Sequence, residues 1–598
     1  MIAAGAAGCL FSGMPAMAQT FNVNFSNHSG PDLVKNKIGV YQTPFWFKST
    51  SPSSYNMAGL LQEAGVKDMR YEMGWGKPDA YAYDQINGPA NAMTIDFSRL
   101  DPFVDQMNVA GVTPLFAMTY DPLPLKTGTD WQRWKDSPSD LNGWRWINQQ
   151  YAAHYASKGA HPYYEMWNEP DLPGDGGKVF FNGDPGVYGN VYSTGVAGIR
   201  TGSSVAKVGG PAIAYDTSYA NNSGIFNQPM DFFSIHAYAN YPAQIQTARN
   251  SLAGRNIPIF MTEYASYANF AWDGPNSRHQ AAAAFFEDVK GLFNYPDVQK
   301  VYWAMWIDDT IGMLNSGLHR KALFNAYKIF QTMLPVTRNA VSPDGASGVN
   351  VMAASSGNTD GVVVWNNNTG DCNVTVNLGS LPFSGGILKL YRIDGHNASY
   401  IDDNAAENLN VNGQWTFSGN STAWTGTVPA QSVVYLQATA SGGSGGIADG
   451  TYKIVASTTG NVLDCEGYGT TNGTRIHIWP YNGTSNQKWN IHPLGNGFYS
   501  IRTINPDGSI GRSLDCTGCS PNNGTQIELY DYWGGSCQQW QITPTSGGNY
   551  KISTAQAKSD GTFDVLDGEN CSGAQAAYLL LWSWGGGGCQ QQWQIAAP

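Results

Sequence analysis

A chain of 598 residues is long enough for three or four domains, each with its own core. Only 13% of its residues are charged and the net charge is −12, a balance that repels nucleic-acid phosphates, while 42% hydrophobic residues exclude a disordered chain. Aromatic residues also reach 13%, with 20 Trp and 32 Tyr, side chains whose apolar plate and polar edge suit stacking on sugar rings.

The first 18 residues are apolar and rich in small side chains, and Ala16-Met17-Ala18 fits a signal-peptidase site. Residues 1–18 are therefore expected to be a signal peptide, although no Lys or Arg precedes the apolar stretch, and the mature protein is expected to be secreted, extracellular or periplasmic. No later run is long and apolar enough to span a membrane, so no membrane partner is expected.

From 19 to 339 short apolar runs alternate with amphipathic stretches. The runs at 38–41, 68–71, 113–118, 163–167, 206–213, 232–236, 258–262 and 301–306 predict eight strands. Helix-like segments at 100–110, 144–155 and 279–293 lie between them, which argues a (β/α)₈ TIM barrel. The fifth run passes through Gly209-Gly210-Pro211 and is the weakest strand signal. In such barrels chemistry sits where the strands end at the C-terminal rim.

Two glutamates stand there. Glu169 ends the fourth run, followed by Pro170, and Glu263 ends the seventh. Strands four and seven face one another across part of the rim, so the two carboxyls can converge on one bond. A retaining glycosidase needs such a pair about 5–5.5 Å apart, one carboxylate attacking the anomeric carbon and the other protonating the departing oxygen. Trp-flanked Glu169 suits the acid/base role and Glu263 the nucleophile, because the two roles demand different environments. Position also selects supporting residues. Asn168 would bond a sugar 2-hydroxyl, and Arg70 would hold Glu263 ionised. His236 and Tyr238 would position Glu263 and the sugar, and Trp306 would floor the subsite. Trp46, Trp75 and Tyr120 are further stacking candidates, and Glu165 reads as barrel lining. No zinc-type His/Cys spacing, dinucleotide fingerprint, phosphate loop or acidic calcium loop occurs, so no metal and no cofactor are expected.

These residues resemble clan A glycoside hydrolases, in which Asn-Glu-Pro on strand four carries the acid/base and a strand-seven Glu the nucleophile. The stretches 95–101 and 110–116, Trp167-Asn168-Glu169-Pro170-Asp171 and Thr262-Glu263-Tyr264 are most similar to glycoside hydrolase family 39. That resemblance implies a β-xylosidase-like, β-glucosidase-like or α-L-arabinofuranosidase-like activity, with endo-cleavage of an exopolysaccharide as the alternative. A β-sandwich after the barrel is usual in that family. Residues 340–440, with β-rich runs such as 361–365 and 432–436 set between Asn, Gly and Pro clusters, predict one.

Residues 441–446 form a Gly/Ser linker. Beyond it, from 447 to 598, one pattern occurs three times at a period of roughly 50 residues. It runs Leu463-Asp464-Cys465 to Gln487-Lys488-Trp489, Leu514-Asp515-Cys516 to Gln538-Gln539-Trp540, and Leu566-Asp567 to Gln591-Gln592-Trp593. Each unit would bury its Gln-x-Trp indole against its neighbours, closing a threefold core. These repeats resemble the ricin-type β-trefoil, carbohydrate-binding module family 13. The resemblance implies one sugar site per lobe: Asp464, Trp479, Asn486 and Gln487 in lobe one; Asp515, Tyr530 and Gln538 in lobe two, where Cys537 replaces the Asn; Asp567, Trp582 and Gln591 in lobe three. It also implies disulfides Cys516–Cys537 and Cys571–Cys589. Cys465 could then pair with Cys519, leaving Cys372 free, and that connectivity stays open.

The sequence thus predicts a secreted retaining glycoside hydrolase acting on plant or microbial polysaccharide or its oligosaccharides, with xylan or arabinose-containing glycans favoured. A catalytically inactive, lectin-like polysaccharide-binding protein is the rival reading, and the oligomeric state is not legible.

Overall fold

Eight parallel strands close into a barrel in a computed structural model of the chain: β1 (Ile38–Gln42), β2 (Asp68–Glu72), β3 (Thr113–Met118), β4 (Tyr163–Met166), β5 (Lys207–Ile213), β6 (Phe232–Tyr238), β7 (Ile259–Ala265) and β8 (Val298–Ala304). The structure describes residues 19–598 apart from 44–56, 81, 83, 129–130, 175–176, 357–358, 441–446, 448, 495–497, 546–548, 559–560 and 587–589. The expected signal peptide, the 441–446 linker, Trp46 and Cys589 lie outside the described residues. All eight expected strands form. Every residue of β1, β2 and β7 is buried, as expected of parallel strands covered on both faces, and this is why they read as continuous apolar runs. The doubtful fifth run is a strand because Gly209 needs its missing side chain: a Cβ there would overlap the Phe232 carbonyl of β6.

Two irregularities shape the rim. Pairing slips between Ile235 and His236 of β6, and again between Met261 and Tyr264 where β7 meets β8. Such bulges re-aim side chains at strand ends. After β4 the chain turns sharply, with Trp167 at φ 73° and Glu169 at φ 43°. Left-handed backbone at a bulky residue is strained and persists only where its surroundings hold it.

The middle sheet reaches beyond the predicted 340–440. It has nine strands, and it recruits Gln19–His28 and the first three residues of Thr337–Ser342, which the sequence reading assigns to the barrel span of 19–339. Gln19–His28 lies between these partners, antiparallel to Thr337–Ser342 and parallel to Cys372–Gly379. The physical reason is its alternation: Phe21, Val23 and Phe25 point into the sheet's core while Asn22 and Asn24 face out. Polar bonds tie sheet to barrel. Glu287 on the helix Gln280–Leu292 accepts from Trp365 Nε1 at 2.8 Å, and Asp402 accepts from the His279 backbone N–H at 2.7 Å.

The C-terminal unit is a β-trefoil with its own core of Ile, Leu and Trp side chains. All three Gln-x-Trp indoles are fully buried, and each donates Nε1 to the leucine carbonyl before its lobe's aspartate: Trp489 to Leu463 (3.2 Å), Trp540 to Leu514 (3.1 Å) and Trp593 to Leu566 (3.2 Å). The disulfide pattern corrects the expectation. Cys537 pairs with Cys519, not Cys516, across a Cα–Cα distance of 5.1 Å. Cys516 ends a core strand and is fully buried, with its thiol toward Thr554, whereas Cys519 sits three residues later, half-buried on the turn Thr517–Cys519. Cys465 is the buried counterpart of Cys516 in lobe one and is free, as is Cys372. Cys571 is disulfide-bonded.

Candidate active site

At the C-terminal ends of β2, β4, β6 and β7 four carboxylates crowd around one guanidinium. Arg70 is fully buried and donates three ways: Nε to Glu165 (2.7 Å), Nη1 to Glu263 (2.9 Å) and Nη2 to Asn168 Oδ1 (2.7 Å). The Tyr41 ring lies against the guanidinium at 4.6 Å, and its hydroxyl donates to Glu72 at 2.8 Å. Charge-assisted bonds in so dry a setting hold their geometry firmly, because no water competes for them.

Glu169 and Glu263 meet here. His236 Nδ1 and one oxygen from each carboxylate lie within 4.8 Å of one another. That is well short of the roughly 6.5–9.5 Å that leaves room for a water between paired carboxyls. A cation could use the same three donors, but the guanidinium already on Glu263 works against a second positive charge.

The two acids sit in different surroundings. Glu263 accepts from Arg70 and, at 2.6 Å, from the Tyr238 hydroxyl, both of which favour its ionised form. Burial raises its pKa, with the Arg70 guanidinium and the Tyr238 hydroxyl pulling the other way. Glu169 has His236 Nδ1 at 2.7 Å and no direct cation. Burial first, then the nearby Asp171 charge, lifts its pKa to about 8. Burial also lowers the His236 pKa, so the imidazole stays neutral. Arg70 and Tyr238 thus favour the charge on Glu263, while burial favours the proton on Glu169.

The structure brings Arg70, Asn168, His236 and Tyr238 together around the two glutamates, with His236 on a different partner from the one the sequence reading gives it. His236 leans on Glu169 and stands 3.7 Å from Glu263, because the bulge before it turns the ring toward β4. Asn168 Nδ2 reaches only the Tyr120 hydroxyl, at 3.5 Å. Trp306 lies just past β8 and is buried, its ring against Phe324 and its backbone N–H on the Tyr41 carbonyl; its Nε1 has no partner among the described residues. Trp75 is corrected from stacking candidate to core: it is fully buried and packs on Trp144 and Tyr151. Glu165 is barrel lining, as expected. Sequence reasoning missed Tyr41, Glu72 and Asp171. Glu72 follows Arg70 by two and so shares its face, a signal that could have found it. Asp171 accepts the backbone N–H groups of Ala214, Tyr215 and Asp216, clamping the loop after β5 to the turn that carries Glu169.

In the trefoil, each lobe's aspartate accepts from that lobe's glutamine. Gln487, Gln538 and Gln591 donate Nε2 to Asp464 (2.7 Å), Asp515 (2.7 Å) and Asp567 (2.5 Å). Lobe one adds Asn486 on Asp464 at 2.9 Å and His477 at 3.2 Å, with the His477 ring stacked on Trp479 at 5.1 Å. Tyr530 and Trp582 are exposed at the corresponding places in the other lobes.

Residues 52–263 match the family described as glycosyl hydrolases family 39, and residues 412–530 and 507–564 match the ricin-type beta-trefoil lectin domain-like family. No curated protein matches the sequence. Among solved structures the chain is similar to the glycoside hydrolase family 39 enzyme of Xanthomonas axonopodis pv. citri, at 17% identity over 71% of this chain and 98% of that one, with a TM-score of 0.59. A monomeric β-xylosidase of Caulobacter crescentus CB15 is similar at 16% identity over 71% of this chain and 100% of that one, TM-score 0.58. A bacterial orthologue of human α-L-iduronidase is similar at 12% identity over 92% of this chain and 99% of that one, TM-score 0.58. At these identities the likeness is one of fold.

Proposed function

We propose that the chain, a glycosidase with a glycosyl hydrolase family 39 barrel and a ricin-type β-trefoil, hydrolyses plant or microbial polysaccharide by double displacement with retention. The observation that carries this reading is the pairing of two carboxyls that bring one oxygen each within 4.8 Å, one held by a guanidinium and a phenol, the other kept protonated by burial. Glu263 attacks the anomeric carbon as the glycosidic oxygen departs with the Glu169 proton. Glu169 then takes a proton from water, which attacks the same carbon and frees Glu263. Asn168 offers its amide to the sugar 2-hydroxyl, where charge develops in the transition state. His236 keeps Glu169 in place and Tyr238 keeps Glu263 in place, while fully buried Trp306 packs behind the rim against Phe324 and has no open face for a sugar.

Xylan and arabinose-decorated glycans are the favoured substrates. The similarity to a β-xylosidase supports this, and a lectin-like domain gives a polymer-degrading enzyme a local-concentration gain. Secretion is part of the proposal. The Cys519–Cys537 disulfide belongs to an oxidising compartment. A panel of aryl glycosides and polysaccharides, with product anomers followed by NMR, tests the reading; release of the inverted anomer, or no turnover on any member, rejects it.

The rate should depend on pH in a defined way. Glu169 must be protonated to act as acid, so kcat/KM falls as pH rises through about 8. Glu263 must be ionised, so activity is also lost on the acid side, above the ordinary carboxylate value. The same shift enters stability. The unfolded chain releases the Glu169 proton near 4.5 and the folded one near 8, so the folded state binds more protons between and stability declines across that window. An alkaline limb below pH 6 in the kcat/KM profile contradicts this assignment.

One observation favours endo-cleavage as the second reading. Phe270 (52% exposed) touches the Tyr238 ring edge-on at 5.3 Å, and Trp272 (66% exposed) follows on the same loop. Buried Asn276 braces that loop by donating to the Tyr267 and Asn269 carbonyls. Exposed rings on a braced rim loop leave room for sugar units beyond the cleaved bond.

A further inference from the structure

The three trefoil lobes supply an internal comparison. In each, the glutamine that donates to the lobe's aspartate also accepts, through Oε1, a backbone N–H three residues past the lobe's aromatic. The donors are Asn482 (2.7 Å) after Trp479, Trp533 (2.8 Å) after Tyr530, and Gly585 (2.9 Å) after Trp582. These positions are equivalent by their bonding, and only lobe two places a large ring there.

That ring is presented as a plate. Trp533 is 61% exposed and neighbouring Tyr530 is 44% exposed. A Cβ on Gly535 would stand over the face of the Trp533 six-membered ring and overlap it, so one face of the indole rests on bare glycine backbone and the other is open. The turn beneath is braced: Gly534 N–H also donates to Gln538 Oε1 (3.2 Å), and Gln539 Nε2 donates to the Gly534 carbonyl (2.8 Å). Lobe two has meanwhile given up a polar contact. Where lobe one sets the Asn486 amide on its aspartate, lobe two has Cys537, tied up in the disulfide with Cys519. One polar contact fewer and one aromatic plate more favour a ligand with extended apolar faces over a single sugar.

We propose that Trp533 is a second stacking plate of lobe two, so that this lobe grips two neighbouring pyranosyl units of a glycan chain beside the Asp515–Gln538 pair. The proposal rests on the reading of the trefoil as a carbohydrate-binding domain. The test uses the full chain with Glu263→Gln to prevent turnover and with Trp479→Ala and Trp582→Ala to leave lobe two as the acting lobe. Binding is read on an array of mono- to hexasaccharides of xylose, arabinose, galactose and glucose, followed by calorimetry on the best series. The trisaccharide is expected to bind at least about tenfold more tightly than the monosaccharide. Adding Trp533→Ala should erase that preference, and Trp533→Tyr should keep most of it. Equal weakening toward both lengths, or no change, overturns the proposal. If the intact trefoil binds glycans while the lobe-two protein binds none, the proposal alone falls; if the intact protein also binds nothing on the array, the carbohydrate-binding reading falls with it. Thermal melts of each variant report folding.

Discussion

Glu263→Ala is expected to lower kcat on an aryl glycoside by at least about four orders of magnitude, because removing a covalent nucleophile leaves water with no activated partner. The polysaccharide retention that belongs to the trefoil should persist, which separates this enzyme from a binding-only protein. Glu169→Ala should cost about 10²–10⁴-fold on substrates with poor leaving groups, the range of general acid–base catalysis, and far less with dinitrophenyl leaving groups that need no proton. Azide makes the two roles distinguishable by product. In Glu263→Ala the anion enters the space left by the carboxylate and attacks once, giving the inverted glycosyl azide. In Glu169→Ala it attacks the glycosyl–Glu263 intermediate and gives the retained one. Products of the opposite configuration would exchange the two assignments, and equal, modest losses in both variants would remove the double-displacement reading.

Much of this site could be read from residues alone because parallel barrel strands announce themselves as short unbroken apolar runs, and the rim is wherever those runs stop. Arg70, Asn168, Glu169, Tyr238 and Glu263 fell out of that rule. What the rule lacks is register. His236 reads as a rim residue, but whether it meets Glu263 or Glu169 depends on a slip of pairing between Ile235 and His236 that no sequence period records. The strand Gln19–His28 shows the same limit from another side. Its alternation was visible, yet its partners begin some 300 residues away, and alternation says which face is buried without saying in which sheet. The cysteine pairing turned on burial. Cys516 and Cys519 are three residues apart, and only the fold decides which thiol faces the core and which faces Cys537. The trefoil repeats were easier, because a threefold pattern states its own register.

Arg70→Met should be the most damaging single change to the barrel outside the two acids, for a reason that separates stability from catalysis. The guanidinium is the only cation in direct contact with Glu165 and Glu263 among the described residues, and both carboxylates are buried. Methionine fills the space and leaves two buried acids without a cation, a loss expected to cost about 3–5 kcal/mol. That corresponds to a fall in Tm of roughly 10 °C for a domain of this size. The deficit should grow with pH. Without Arg70, burial holds the Glu263 proton to higher pH in the folded state than in the unfolded chain, so stability declines from about pH 4.5 upward. Activity should fall by at least about 10³-fold at neutral pH, with the acid limb moved to higher pH, because Glu263 is no longer held ionised. Adding Glu165→Gln to Arg70→Met removes one stranded charge and should recover part of the lost Tm while recovering none of the rate. Recovery of both together would mean that Arg70 serves the fold alone and that the ionisation of Glu263 has another source.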